Sequence, residues 1–313
     1  MSKQTFIRAT EIWTPTADRK HLDLTAGIYG ELTYFEAVSR GMRFAYNEGL
    51  PGRTWASGQP IILKNLTNSY FQRGESAASE GLSCAVSLPV FAKGELTAVA
   101  VFFCGDDRFH VGALEVWNAG KGETEMKLVD GYFGRAQRFE FTSRHTSFPR
   151  RMGLPGKVWE TGKPVIMEDL GRGNLFLRRD AAEKIGINRA VGFPCALPDA
   201  GNWVMAFLSA KNTPIARRFE CWTPDEGTGA YRFEAGYCES GTPLEQCYEN
   251  TVLPLDYGPF AQADRTGIPV ICTDIGKEDG PIAQSSAQAS LTSMLAMPIF
   301  EGERLNAVLA WFL

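Results

Sequence analysis

The sequence has little histidine and no closely spaced cysteine pairs. Of 313 residues only three are histidine (His21, His110 and His145) and seven are cysteine. No two cysteines show the C-x-x-C spacing that is typical of metal or redox sites. The chain therefore offers few of the ligands that a zinc or haem site needs, and we predict neither a metal nor a cofactor. Most cysteines lie inside apolar runs, such as Cys84 in GLSCAVSLPV and Cys195 in GFPCAL, which indicates buried, reduced thiols.

Long apolar runs and a strong charge imbalance are also lacking. No run approaches the roughly 18 to 20 residues that span a bilayer, and the N-terminal MSKQTFIRATEIW lacks the apolar core of a signal peptide. We therefore expect a cytoplasmic protein with no membrane partner. The net charge of −4 and the lack of a basic, aromatic stripe argue against a nucleic-acid partner. A chain of 313 residues exceeds the usual size of one core, so two or three domains are expected.

Three segments of the chain repeat at intervals of 104 and then 105 residues. EIWTP begins at Glu11, EVWNA at Glu115 and ECWTP at Glu220. Glycines and prolines recur in the same register. Because only seven tryptophans occur in the chain, three in register beside matched glutamates indicate three copies of one unit. We assign the units to residues 1–104, 105–210 and 211–313, and call them units one, two and three.

Each copy has the same predicted order of elements. TEIWTPTADRKHLDLTAGIY alternates apolar and polar residues around a turn, which predicts a hairpin. QPIILKNL and KPVIMEDL are short apolar strands, and RGESAASEG and RRDAAEKIG are typical of helices that end near glycine. Two β-rich runs close each copy. The order β-β-loop-β-α-β-β predicts an α+β fold, with helix and loops on one face of an antiparallel sheet.

The short linkers leave two arrangements of the units open. CGDDRFHV between units one and two, and KNTPI between units two and three, are too short for helices of normal length. Three self-contained units would form a compact pseudo-threefold arrangement, which we favour. Alternatively, strands are exchanged between units and the C-terminal AVLAWFL pairs with the N-terminal FIRATEIW, which would remove exposed sheet edges.

One series of motifs resembles a known family. GLPGKVWETGKPV begins at Gly153, followed by EDL, a helix ending near glycine, and GFPCALPDAGNWVMAFL. This order is similar to the second half of a GAF domain of bacterial sensor kinases, and the IWTP hairpin resembles the first half. In unit three YGPFAQADRTGIPV replaces the double-glycine turn, so we expect a structural closing unit there. The resemblance implies small-molecule binding or protein interaction. We expect no output segment in this chain, so a protein partner would supply the output.

The double-glycine turn is expected to have a structural role. Gly49 and Gly52 of GLPG, like their matches in unit two, are predicted to supply positive-φ or close-approach positions, with proline fixing the turn between them. Trp55 and Trp159 follow the turn. We expect them to pack under the next strand as core residues rather than ligand contacts.

The resemblance places a ligand over the sheet, and basic residues are most numerous in unit two. The units hold 10, 15 and 7 basic and 9, 13 and 14 acidic residues, giving net charges of +1, +2 and −7. Converging guanidinium groups would favour an anionic small molecule. The alternative is a solvated basic face, or salt bridges to acidic unit three. The candidate ligand-binding residues are Arg144, His145, Arg150, Arg151, Lys157, Trp159 and Arg179 in unit two, and Arg40, Arg53, Trp55, Tyr70 and Phe71 in unit one.

These patterns favour a non-catalytic sensory or regulatory protein that binds a small, anionic ligand and signals through a partner. The alternative is a ligand-free interaction or scaffold module, and either is compatible with an oligomer. A pocket lined by Trp55 or Trp159 favours the first, and a space filled by side chains favours the second. We predict no enzyme. Some GAF relatives reduce free methionine sulfoxide with three cysteines, but Cys84 and Cys104 do not indicate such a cluster.

Overall fold

The computed structural model describes residues 5–105, 111–172, 176–195, 201–211, 213–225 and 227–313. Most of the predicted linker CGDDRFHV lies outside these residues. The described chain forms three antiparallel sheets of six strands each, with helices. The predicted α+β class and the three tandem units are confirmed.

The elements recur in nearly the same order in each unit. Unit one contains β1 (Ile7–Pro15), β2 (His21–Ile28), α1 (Thr33–Arg40), β3 (Arg43–Ala45), α2 (Gly49–Ser57), β4 (Ile61–Leu63), α3 (Gly74–Ser79), β5 (Leu82–Ala92) and β6 (Glu95–Gly105). Unit two contains β7 (Gly112–Ala119), β8 (Glu125–Tyr132), α4 (Gln137–Arg144), β9 (Phe148–Pro149), α5 (Gly153–Thr161), β10 (Val165–Met167), α6 (Arg179–Glu183), β11 (Arg189–Cys195) and β12 (Asn202–Ser209). Unit three contains β13 (Arg218–Pro224), β14 (Tyr231–Cys238), α7 (Leu244–Cys247), β15 (Val252–Leu253), α8 (Gly258–Thr266), β16 (Val270–Cys272), a 3₁₀ turn (Ile275–Lys277), α9 (Pro281–Gln288), β17 (Met294–Glu301) and β18 (Arg304–Phe312).

Each sheet is built from the strands of one unit. The strand order is β3-β2-β1-β6-β5-β4 in unit one, and the same order recurs in the other two sheets. The register also repeats, because Glu11, Glu115 and Glu220 each lie opposite the matched glycine of the neighbouring strand. The strand-exchange alternative is wrong: β18 pairs with β13 and β17, and β1 pairs with β2 and β6.

The predicted turn GLPG is the beginning of a helix. Gly49 has a φ of 57°, which confirms the positive-φ position, and it is the first residue of α2. A Cβ on Gly52 would lie 2.1 Å from the carbonyl oxygen of Ala45, so Gly52 is required by a close approach. Pro51 is tolerated in the first helical turn because the backbone N–H groups there have no intrahelical partner. The prediction of a turn is therefore corrected to a glycine-initiated helix, in both units one and two.

One face of each sheet packs against the helices of its own unit. The three resulting cores contain the matched tryptophans Trp13, Trp117 and Trp222, all buried. In each of the first strands a register shift falls directly before this tryptophan. The local irregularity is thus repeated together with the side chain that follows it.

The other faces of the three sheets meet in one common core. Phe102, Phe207 and Trp311 occupy matched positions of β6, β12 and β18, and their rings contact one another. The ring centroids are 5.8 Å apart for Phe102 and Phe207, 4.9 Å for Phe102 and Trp311, and 6.3 Å for Phe207 and Trp311. The three units are therefore arranged around a pseudo-threefold axis.

Contacts between neighbouring units close this arrangement into a ring. Edge strands β4, β10 and β16 contact β8, β14 and β2 of the next unit, respectively. Thr97 Oγ1 donates to the carbonyl oxygen of Gly267 at 2.7 Å, and Asn306 Nδ2 donates to that of Gly162 at 2.8 Å. The contact between units three and one is therefore equivalent to the contact between units two and three. Across the described ranges, no helix is both long and apolar enough for a membrane span.

Candidate functional site

A buried ion pair occupies the space between sheet and helices in unit one. Glu11 projects from β1 and accepts from Trp13 Nε1 at 2.9 Å. Arg73, directly before α3, donates from Nη2 to Glu11 Oε2 at 2.9 Å and from Nη1 to Oε1. Ser39 of α1 accepts from the same guanidinium, and Tyr29 donates to the carboxylate at 3.1 Å. The side chains of Arg73 and Glu11 are both fully buried.

Unit two repeats this network with matched residues. Glu115 on β7 accepts from Trp117 Nε1 at 3.0 Å and from Arg178 Nη2 at 2.8 Å. Arg178 Nη1 donates to the second carboxylate oxygen and to Ser143. Ser143 of α4 in turn donates to Glu115 at 2.9 Å. The bidentate geometry is the one that an arginine fork makes best with a carboxylate.

Unit three builds the same pair from a different arginine. Glu220 accepts from Trp222 Nε1 at 2.9 Å and from Tyr248, which stands where Ser143 stands in unit two, at 2.9 Å. The guanidinium comes from Arg218, two residues earlier on the same strand, at 3.3 Å. Ser285 of α9 accepts from Arg218 Nη1 at 2.8 Å. The carboxylate is thus retained in all three units, while its cationic partner has changed position.

The burial of these ion pairs and the neutralisation of their charges determine whether they can bind a ligand. Burial raises the pKa of Glu220, while the charge of Arg218 and the hydrogen bonds of Trp222 and Tyr248 oppose the rise. Aromatic rings surround the guanidinium groups, with Phe35 and Phe139 at 4.8 and 4.7 Å from the arginines of units one and two. A carboxylate held by an arginine, a tryptophan and a hydroxyl is not available to a substrate. The pairs therefore fill the interior over each sheet.

Most of the predicted ligand-binding residues of unit two lie on its exposed surface. Arg144 pairs with Glu140 at 2.7 Å, one helical turn earlier. Arg150 and Arg151 both contact Glu160, at 2.6 and 2.8 Å, and the hydrogen bond from Arg151 lowers the pKa of that carboxyl. The guanidinium groups converge on a carboxylate of their own unit, so the alternative of salt bridges to unit three does not hold for them.

The remaining candidates of unit two lie at separate places. His145 ends α4, with Nδ1 2.7 Å from the carbonyl oxygen of Phe141. Lys157 is half-buried on α5. Trp159, also half-buried, lies 5.9 Å from the guanidinium of Arg150 and packs against the core of unit two. Arg179 lies 3.6 Å from Glu183 on α6.

The candidates of unit one are likewise spread over its surface and core. Arg40 pairs with Glu36 of the same helix at 2.5 Å. Arg53 lies over the ring of Tyr70, 3.8 Å from its centroid. Trp55 packs edge-on against the exposed Tyr46, at 5.2 Å. Phe71 is buried in the core beside the guanidinium of Arg73.

Several grooves lie on the described surface. One of about 1170 Å³ lies between α8 of unit three and the β5–β6 hairpin of unit one. A second, about 730 Å³, lies between α4 and α6. A third, about 480 Å³, lies between units two and three, and the predicted residues Arg150 and Trp159 line it together. None of these grooves is the interior space over the sheets.

Sequence reasoning missed the buried ion pairs, although one signal for them was present. The glutamate of EIWTP, EVWNA and ECWTP recurs in every copy two residues before the buried tryptophan. A charged residue retained at a strand position that otherwise faces a core indicates a buried, paired charge. Arg73 and Arg178 were not identifiable in this way, because they lie more than 60 residues along the chain from their partners.

A six-stranded antiparallel sheet of this order, with helices on one face, is GAF-like, and the chain consists of three such units in tandem. Solved structures similar to the chain include GAF domains. One from A. aeolicus in an inactive state is 19% identical, over 32% of this chain and 58% of that one, with a TM-score of 0.26. The GAF domain of a phosphoenolpyruvate-protein phosphotransferase from Coxiella burnetii is 18% identical over 32% and 58%, with a TM-score of 0.27.

An enzyme is also among the similar structures. The free methionine-R-sulfoxide reductase from Neisseria meningitidis, solved with its substrate, is 13% identical over 32% of this chain and 53% of that one, with a TM-score of 0.26. The matched region is about a third of this chain and spans less than two thirds of each of these three proteins. No family model and no curated protein matches the chain.

Proposed function

We propose that this chain is a non-catalytic regulatory protein that acts as an interaction scaffold for a protein partner. The observation that carries the proposal is the filled interior of all three units. Glu11, Glu115 and Glu220, with their arginines and tryptophans, occupy the space over the sheet. A small-molecule site needs a concave space lined by a few available polar groups, whereas the three carboxylates already accept hydrogen bonds from an arginine, a tryptophan and a hydroxyl group.

The outer surface supports the same role. The common core and the three outer cores are buried, so a partner can bind only to the exposed helices and the surface grooves. Such surfaces suit macromolecular partners better than small ligands, because protein interfaces are formed by extended patches.

A ligand screen tests this proposal. We would measure thermal stability and native mass of the purified chain with a panel of nucleotides, amino acids and phosphorylated metabolites. A ligand at 100 times its dissociation constant adds about 2.7 kcal/mol to the free energy of unfolding, so binding would be plain. We expect no shift and no bound mass. A reproducible shift with one metabolite would contradict the scaffold role.

A second candidate, binding of a small anion, is favoured by the groove between units two and three. Arg150 and Trp159 are both among the candidate ligand-binding residues, and they line this groove together. If an anionic compound binds there, Trp159→Ala should weaken its binding at least about tenfold, the loss expected for one large buried ring. Trp55→Ala, at the matched position of unit one, is the control and should leave affinity unchanged. Equal losses from both variants would exclude this groove.

A further inference from the structure

We propose that the chain associates with a second copy of itself, head to tail. The α4–α6 surface of one copy, formed by Arg138, Phe141, Leu177, Arg179 and Lys184, would dock into the groove between units three and one of the next copy, which we call the junction cleft. This goes beyond the scaffold role and does not depend on it, since the partner here is the chain itself.

The α4–α6 surface exposes apolar side chains that the fold does not require. Phe141 is 66% exposed and Leu177 is 48% exposed, and both line the groove between α4 and α6. At the positions that match Phe141, units one and three carry Ala37 and Gln246. Gln72 stands at the position that matches Leu177. Large exposed apolar side chains at one copy of a repeated position indicate an interaction surface rather than a folding requirement.

The same surface is positively charged. Four basic residues, Arg138, Arg178, Arg179 and Lys184, line the groove with one acidic residue, Asp180. Because Glu115 neutralises Arg178, the remaining local charge is +2. Arg179 contacts Glu183, at 3.6 Å. Arg138 and Lys184 form no ion pair with any described residue. Unpaired cations beside an apolar centre favour an acidic, partly apolar partner surface.

The junction cleft offers such a surface on the same chain. It is the groove of about 1170 Å³ between units three and one, and it contains Leu255, Asp256, Asp264, Phe300 and Glu303. Four acidic and two basic residues line it in all, which gives a local charge of −2. Leu255 is 55% exposed. An acidic cleft with an exposed leucine and a phenylalanine in its wall complements a basic surface with a protruding phenylalanine.

The ring geometry makes the contact intermolecular. The junction cleft lies between units three and one, while the α4–α6 surface lies on the outer, helical side of unit two. The two surfaces therefore lie on different sides of one ring and cannot meet within it. Two different surfaces in contact form a heterologous interface, which extends into open chains unless the rotation closes it. The charges of +2 on unit two and −7 on unit three would steer the encounter in this orientation.

Sedimentation and light scattering of the full chain test the proposal. The weight-average mass should rise from low to high micromolar concentration without a plateau at the dimer, and it should fall as salt is added. Phe141→Ala should weaken association at least about tenfold, the effect of one buried phenyl ring. Tyr34→Ala is the matched control, because Tyr34 is a 54% exposed aromatic residue on α1, the equivalent helix of unit one.

Mixing two variants distinguishes this interface from others. A copy with Arg138→Glu and Phe141→Ala, and a copy with Leu255→Ser and Asp264→Lys, should each be monomeric alone. Each retains one intact surface, so the mixture should form a complex of two chains and no more. Unchanged thermal melting would show that both variants are folded.

Three results would overturn the proposal. These are a wild-type chain that stays monomeric, association that Phe141→Ala and Tyr34→Ala weaken equally, and a mixture that stays monomeric. Binding of the monomeric wild-type chain to phosphatidylserine vesicles would assign the α4–α6 surface to a lipid instead. None of these readouts measures metabolite binding. Failure of the self-association proposal would therefore not affect the scaffold proposal, which the ligand screen tests.

Discussion

Removing one arginine from a buried pair should strongly destabilise the protein. In Arg178→Met the apolar part of the side chain is kept, but Glu115 loses both bonds of the guanidinium fork and remains a buried, unpaired carboxylate. Breaking a buried pair on one side costs about 3–5 kcal/mol. Two charge-assisted hydrogen bonds, at about 1.5–3 kcal/mol each, lead to a similar figure. We therefore expect a loss of about 3–5 kcal/mol in the free energy of unfolding.

The assay is urea unfolding followed by tryptophan fluorescence, since Trp117 is itself part of the network. Urea is uncharged and does not screen ion pairs as guanidinium does. The control is Arg144→Met, which removes the exposed pair with Glu140 and should cost about 0.3–0.5 kcal/mol.

A double variant separates charge from packing. Glu115→Gln combined with Arg178→Met leaves no buried charge and keeps an acceptor for Trp117. It should therefore recover at least half of the stability that Arg178→Met loses, because the dominant cost is that of the unpaired carboxylate. The reasoning would be refuted if Arg178→Met cost no more than Arg144→Met, or if the double variant were less stable than Arg178→Met alone.

Three further predictions concern the backbone, the common core and the thiols. Gly52→Ala places a Cβ 2.1 Å from a carbonyl oxygen and should lower the free energy of unfolding in urea by about 1–3 kcal/mol or more. The control is Gly41→Ala, whose Cβ would lie 3.5 Å from its nearest contact and which should change the free energy of unfolding by less than about 0.5 kcal/mol. Equal effects of the two variants would contradict the close approach at Gly52. Phe102→Ala at the pseudo-threefold axis should cost about 3–5 kcal/mol by the same measurement, and a loss below that of an exposed substitution would contradict the common core. At pH 8 a disulfide reagent should react rapidly with the exposed Cys247 and not with Cys221, because burial raises the pKa of that thiol to about 12; a fast phase that survives Cys247→Ser would contradict the assignment.

The repeat register predicted the architecture because the residues that define it can rarely be replaced by other residue types. The tryptophan and glutamate of each first strand, and the glycine opposite, fix where one strand of a sheet lies against the next. The sequence could not predict α2 and its match in unit two. Each begins with a glycine at positive φ and has proline in its first turn, and both residues are ordinarily read as a turn.

The candidate site was predictable only in part. Arg150 and Arg151 were selected as candidate ligand contacts because the resemblance places a ligand near this segment and because basic residues are most numerous in unit two. The arginine that is buried and paired in this unit is instead Arg178. Burial is decided by partners distant in the sequence, and here the partner Glu115 is 63 residues away. In unit three even the matched position fails as a guide, because Arg218 supplies the cation from the strand itself.

A sheet that is apolar on both sides has no face to show to water. Cut out of the ring, any single unit would expose the side chains around Phe102, Phe207 or Trp311, and such surfaces aggregate. We therefore expect the three units to fold and unfold together rather than one at a time.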